Sequence, residues 1–445
     1  MGEREAEPTM PQTELEEITS KLSDLNKWRE IFSFHGLEIS NTTPQPGQGS
    51  AGHALPADKE PVGPPPPRSA VPRPLLMPSG TAGQHVSLEM AMGLRKLLFG
   101  NGFHHFSCEW ANACFRFREP HSDLAYALEA GKGGTRAILM AVQAHIIKYL
   151  LFIRNTEYTH LERLCQVSRQ EQGQALATAL ADMLWATAGS RVVVCLTSTA
   201  SHTTAHGHYK ADSLTERIQL FEFSEKAAAQ QFIFDHIDCF KGEGSHGVIL
   251  FLYSLLFSRT LERVQEDLGC TATPLLKCSF GSVTCTQALL SLLLTGCASP
   301  HKLDGGPEPR PGSQGGEARQ RRGMVGYLRW DRAQPEQQVC AALRTPRLPV
   351  WLCSLSGRHS VLFGTDSLLL SHWRAERVFH LYFYNGQRER TETAWLTVDT
   401  HSHLWEEDHR EDSSSTGKRH PSLEMAIRTK WAGATVSWNG TEPFF

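Results

Sequence analysis

The sequence predicts an α+β fold. Three observations carry that reading. Apolar runs of helical length occupy residues 88–294, and short β-branched or aromatic runs follow from residue 348. The turn dipeptide Asn385-Gly386 separates two of those short runs.

Taken in order, residues 13–34 place Leu15, Ile18, Leu22, Leu25, Trp28 and Ile31 at spacings of three and four. Thr13 and Glu16 form a capping box at the start. This predicts an amphipathic helix in an N-terminal region of residues 1–40, its stripe docked on the main domain or on a partner. Residues 41–84 read as a disordered linker. Eleven prolines fall between Asn41 and Gly83, and such a composition buries too little surface to fold. The Pro64-Pro65-Pro66-Pro67-Arg68 run has the pattern of a polyproline ligand, although a solvated spacer is the simpler account.

From residue 85 to 445 the composition is globular. Residues 88–98, 137–153, 170–188, 247–261 and 286–294 read as helices, and 191–196 as a strand. Residues 299–322, rich in glycine, proline and charge, read as a disordered surface insertion. Residues 348–353, 359–363, 379–384 and 396–399 read as strands of an antiparallel sheet, with Asn385-Gly386 as a hairpin turn.

Composition narrows the function. At 445 residues the chain exceeds one simple core, so one large domain or two is expected. A net charge of −3 and a pI near 6.7 leave no electrostatic footprint for nucleic acid or an anionic membrane. The polar start Met1-Gly2-Glu3-Arg4-Glu5 shows no secretory signal, and no apolar run reaches ~18 residues. Eleven cysteines without C-x-x-C spacing argue against a disulfide framework and a zinc site. The chain is expected to be intracellular, cytoplasmic and/or nuclear, with no cofactor and no metal.

The most informative stretch is Lys132-Gly133-Gly134-Thr135-Arg136, a glycine-rich turn that feeds the apolar run starting at Ala137. A helix N-terminus offers unpaired N–H groups and positive partial charge, so a cysteine there becomes a reactive thiolate. Arg136 has the opposite sign, and a cation at a helix start is disfavoured by roughly 0.3–1 kcal/mol. The turn lacks the Gly-Lys-Ser/Thr ending of a P-loop, which excludes phosphate binding of that kind.

Several runs together resemble the MINDY family of deubiquitinases. They are residues 94–100 (LRKLLFG), Phe106-Ser107-Cys108-Glu109-Trp110, Lys132-Gly133-Gly134 with Ala141-Val142-Gln143, and residues 344–351 (RTPRLPVW). Ser360-Val361-Leu362-Phe363, residues 427–434 (IRTKWAGA) and Trp438-Asn439-Gly440 complete the pattern. The resemblance spans about residues 85–445. Within the family it is nearest the fourth subfamily, and the substitutions resemble that subfamily's inactive B-type paralogue.

The resemblance implies a papain-like arrangement, with a nucleophilic cysteine on a helix and a histidine on a facing sheet. Carried over by position, the cysteine place holds Arg136, the proline before it Thr135 and the oxyanion glutamine place Ala130. Anchored on Ser360-Val361-Leu362-Phe363, the histidine place holds Arg358, with His359 beside it. A one-residue shift turns a strand side chain to the opposite face, so His359 is expected to point away from the catalytic orientation. The Leu355-Ser356-Gly357-Arg358 stretch carries one extra residue, which leaves that register open.

The implied function is an inactive ubiquitin carboxyl-terminal hydrolase, a pseudo-deubiquitinase that binds or scaffolds ubiquitin or lysine-48-linked polyubiquitin. Two alternatives stand beside it: a weak enzyme using a relocated cysteine, Cys108 first, and an interaction protein without ubiquitin binding. The run from His202 to His208 and the cluster of His401, His403, Glu406 and His409 read as polar loops rather than metal sites. Trp431 and Trp438 read as core, and Asn439-Gly440 as a turn.

Overall fold

The computed structural model describes residues 83–101, 104–154, 160–198, 214–269, 273–279, 282–305, 322–389, 392–401 and 420–443. The expected helix at 13–34, nearly all of the linker, the His202-to-His208 run and His403 to His409 lie outside the described residues.

The chain enters its globular part through strand β1 (Gln84–His85) and helix α1 (Leu88–Phe99). Ser87 Oγ accepts from the Met90 N–H at 3.2 Å, and left-handed Gly100 closes α1 by donating to the Lys96 carbonyl. Ala91, Leu94, Arg95 and Leu98 form its buried stripe, and Arg95 reaches Glu216 at 2.7 Å. Helix α2 (Arg136–Lys148) continues through a π-turn over Tyr149–Ile153 and is buried at nearly every position. Helix α3 (Arg169–Thr187) starts at a Ser168/Glu171 capping box.

Strands β2 (Val192–Thr197) and β3 (Ile218–Phe223) pair antiparallel, and β1 adds to β3. Helices α4 (Lys226–Asp235), α5 (Gly247–Arg259) and α6 (Leu261–Leu268) follow. Helix α5 is apolar on all sides and packs beneath β2, where Ser254 and Ser258 accept from the Cys195 and Val193 N–H groups. A two-stranded hairpin, β4 (Leu276–Ser279) and β5 (Ser282–Cys285), leads into α7 (Gln287–Thr295).

The last third builds a six-stranded sheet: β6 (Gly326–Trp330), β7 (Val350–Leu355), β8 (Arg358–Phe363), β9 (Val378–Tyr384), β10 (Ala394–Asp399) and β11 (Thr435–Ser437). Its spatial order is β11-β10-β9-β8-β7-β6. Alternation divides it cleanly. Val350, Leu352, Val361, Phe363 and Tyr384 join the main core with α2. Trp351, Cys353, Leu362, Leu381, Phe383 and Leu396 form a second core with Leu423, Ala426 and Ile427 of α8 (Ser422–Arg428). Trp431 and Trp438 fill that second core, and the Trp438 Nε1–H donates to Glu424 Oε1 at 2.8 Å.

Four details differ from the sequence reading. The sheet is mixed, because β6 lies parallel to β7 across a connection that carries the short helix Ala341–Arg344. Asn385-Gly386 is not a two-residue hairpin turn, since β10 begins only at Ala394; β9 and β10 nonetheless pair. The start of the 299–322 segment is ordered: Leu303 is buried, and Asp304 accepts from Gln287 and Gln337. The continuous helix Arg136–Ile153 does reach 18 residues at a mean hydropathy of 1.5, but 83% of that window is buried within the fold.

Candidate active site

The start of α2 sits where three layers meet. Gly133 lies under the Glu109 carboxylate, a side-chain end that can move aside, whereas Gly134 lies against the Val283 backbone of β5, where a β-carbon would collide. Trp110, in the short helix Cys108–Ala111, ties the same hairpin down by donating to the Val283 carbonyl at 2.9 Å. Gly134 is therefore a packing requirement. It lets the hairpin and the 108–111 helix close over the first turn of α2.

Arg136 opens that turn. Its Nε–H donates to the His359 carbonyl at 2.8 Å, and its Nη1–H donates to Ala130 O at 3.3 Å and Gly131 O at 3.0 Å. The residue is 9% exposed, and among the described residues no carboxylate lies in ion-pair range of it. Burial holds the guanidinium pKa below its ordinary value, with Tyr384 acting in the opposite direction and the Arg358 charge adding to the depression. A guanidinium still remains protonated. The three carbonyls offset the unfavourable meeting of a cation with the positive end of the helix.

Two clefts open from this point. One, of 510 Å³, includes Lys132, Arg136, Arg329 and Arg358 in its lining, with Glu109 and Asp331 as the carboxylates. The other, of 530 Å³, runs past Arg136, His359 and Asn385 to Glu442 and Pro443. Arg136, Arg358 and His359 line both, so the two clefts adjoin at these side chains.

The facing strand is β8. Ser356 and Gly357, with φ of 47° and 81°, make a two-residue turn that pairs Leu355 with Arg358 and Ser354 with His359. That turn sets the register. His359 shares its face with Val361 and Phe363, toward α2, whereas Arg358 alternates with it toward the other face, as Leu362 does. The sequence reading had this the other way round. The His359 Nε2 is buried without a hydrogen-bond partner, and burial, then the Arg136 charge, pushes its pKa down to about 4.

Ala130 has no donor side chain. Its N–H donates to Gly386 O at 3.0 Å, and Gly386, at φ 75°, approaches so closely that a β-carbon there would lie 2.8 Å from the Ala130 Cβ. Gln143, unassigned by the sequence reading, holds this strip: its Oε1 accepts from Leu128 N at 2.5 Å and its Nε2–H donates to Tyr126 O at 3.1 Å. Tyr384 adds a hydroxyl to the Leu128 carbonyl at 2.8 Å. A glutamine inside an apolar helical run was the available signal, since a buried amide needs partners.

The thiols divide clearly. Cys108 is exposed and lies outside the lining of both clefts. Cys285 does line the first cleft, its Sγ–H donating to Gly134 O at 3.5 Å, and burial pushes that thiol up to about 12. Among the described residues no group of three metal-ligating side chains comes together.

A helix start faced by a strand histidine is an arrangement that thiol hydrolases use, and in this chain Arg136 occupies the helix start. Residues 95–440 match the family model of the deubiquitinating enzyme MINDY-3/4 conserved domain, and the chain belongs to this family. It is 35% identical over 379 residues to the probable ubiquitin carboxyl-terminal hydrolase MINDY-4 of Mus musculus, covering 84% of this chain and 49% of the relative. The Homo sapiens MINDY-4 matches at 33% over 378 residues, covering 84% and 48%. Ubiquitin carboxyl-terminal hydrolase MINDY-3 of Homo sapiens matches at 28% over 305 residues, covering 62% and 65%. The chain thus spans about half the length of the MINDY-4 relatives. No solved structure matches.

Proposed function

We propose that this chain is a pseudo-deubiquitinase, a papain-like domain that holds ubiquitin or lysine-48-linked polyubiquitin without cleaving it. One observation carries the reading: Arg136 stands at the start of α2, where the resemblance puts the nucleophile, and its Nε–H and Nη1–H groups are committed to the carbonyls of His359, Ala130 and Gly131. Thiol hydrolysis needs a thiolate, an imidazole beside it and N–H donors for the oxyanion. This site offers a cation that cannot attack, an imidazole with no thiol beside it, and an alanine, Ala130, without a side-chain donor where the resemblance puts the oxyanion glutamine. A relocated thiol has little support, because Cys108 is outside the clefts and Cys285 is held protonated.

The domain would act by occupancy, shielding or delivering chains. The unpaired thiols suit an intracellular setting, cytoplasmic or nuclear. No nucleic acid, membrane or cofactor enters the reading.

The test is a ubiquitin probe with a thiol-reactive C-terminal warhead, read by intact mass beside a catalytically competent relative. No adduct on this chain, together with measurable binding of lysine-48-linked chains, is expected. An adduct of one ubiquitin would overturn the proposal, and peptide mapping would then name the thiol.

A further inference from the structure

We infer that the first cleft recognises ubiquitin by its free C-terminal carboxylate and rejects ubiquitin whose C-terminus is already joined to another chain. This rests on the ubiquitin-binding reading above and narrows its ligand. Two independent observations lead to it.

The first is shape. Arg136 reaches from the start of α2 to the backbone of β8 and to the Ala130-Gly131 strip, so it closes the passage between the two clefts. A tail lying in the 510 Å³ cleft, under the Gly133-Gly134 turn and the β4–β5 hairpin, meets the guanidinium as a wall. A conjugated tail has to continue past its last residue into the 530 Å³ cleft beyond, and that continuation runs into the same side chain. A tail that ends in a carboxylate needs no continuation.

The second is charge. Four cations, Lys132, Arg136, Arg329 and Arg358, line the first cleft against two carboxylates, Glu109 and Asp331. Among the described residues Arg136 has no carboxylate partner, and its three hydrogen bonds run through Nε and Nη1, which leaves Nη2 for a ligand oxygen. A free carboxylate matches this end of the cleft. An isopeptide carbonyl is neutral and carries a lysine-derived leaving group, so it fits neither the charge nor the space.

The experiment uses the full chain and three forms of single ubiquitin: native, C-terminal carboxamide, and native joined by an isopeptide bond to a lysine peptide. Each is titrated by calorimetry. Native ubiquitin is expected to bind ~10-fold or more tightly than the other two, the scale of one buried charge-assisted contact. Arg136→Gln should collapse that ratio toward one. Lys132→Gln, on the exposed side of the cleft, should lower it without threatening the fold. Equal binding of all three forms by the native chain would overturn this inference and leave ubiquitin binding intact. Absence of binding to every form would overturn this inference, and absence of binding to lysine-48-linked chains titrated beside them would overturn the reading beneath it.

Discussion

Arg136 and His359 meet through the backbone: the guanidinium Nε donates to the His359 carbonyl at 2.8 Å, while the imidazole of that residue has a buried Nε2 with no partner. The histidine therefore stands on the right face of the sheet, toward α2, with nothing to act on. Its orientation is a property of the β7–β8 turn and not of Arg136, since Ser356 and Gly357 set the strand register.

Restoring a thiol should use that orientation. The double variant Arg136→Cys, Ala130→Gln is expected to form an adduct with the thiol-reactive ubiquitin probe, where the native chain forms none. Adding His359→Ala to the double variant should slow labelling by about two orders of magnitude, the usual contribution of a positioned base. Intact-mass kinetics reads both. Labelling that ignores His359 would mean that the imidazole does not reach the new thiol.

Acid should weaken the fold through His359. With its pKa pushed down from an ordinary 6.5 to about 4, the folded state resists a proton that the unfolded chain accepts. This contribution costs nothing above pH ~6.5, and stability falls as pH drops from there toward 4. His145, pushed down to about 3 by burial and then by Lys148, adds to the same slope. In Arg136→Gln the second cause of the His359 shift is gone, so its imidazole should titrate higher, though still below 6.5. NMR titration of the ring protons measures it.

Gln143→Leu should destabilise the domain by roughly 2–4 kcal/mol, because the Leu128 N–H and Tyr126 carbonyl lose buried partners together. Urea unfolding at neutral pH gives the number. A loss below about 0.5 kcal/mol would mean that the strip from Tyr126 to Ala130 holds without the amide.

Alkylation should sort the thiols by position. Exposed Cys108 and Cys278 are expected to react with iodoacetamide first. Cys285, Cys195 and Cys353, all pushed up by burial, should remain unmodified until the protein unfolds. Peptide mapping across a time course distinguishes the groups, and early modification of Cys285 would mean that its thiol is reachable from the first cleft.

Much of the frame was legible because local chemistry and tertiary packing agree. Apolar runs of helical length became α1, α2, α3, α5 and α7, and the aromatic runs near the end became β7 to β10. What was not legible depends on long-range pairing. Gly326–Trp330 carries no strand signal beyond a few apolar residues and owes its place to a parallel neighbour. Asn385-Gly386 has hairpin chemistry, yet Gly386 serves close approach to Ala130 instead. At the site, motif alone singles out Arg136 and Ala130, which the fold brings together, but it could not give the face of His359. An apparent extra residue in the Leu355–Arg358 stretch left two registers open, and only the left-handed pair at Ser356-Gly357 decides between them. The partners of Arg136 are all carbonyl oxygens, which leave no mark in a sequence.

The helix that presents Arg136 has a second identity that appears only when the domain comes apart. Arg136–Ile153 is long and oily enough to cross a bilayer, and the surrounding layers are what keep it from lipid and from other chains. Thermal melting is therefore expected to be irreversible, because unfolding exposes this apolar segment to other unfolded chains, and a reversible calorimetric rescan would contradict that.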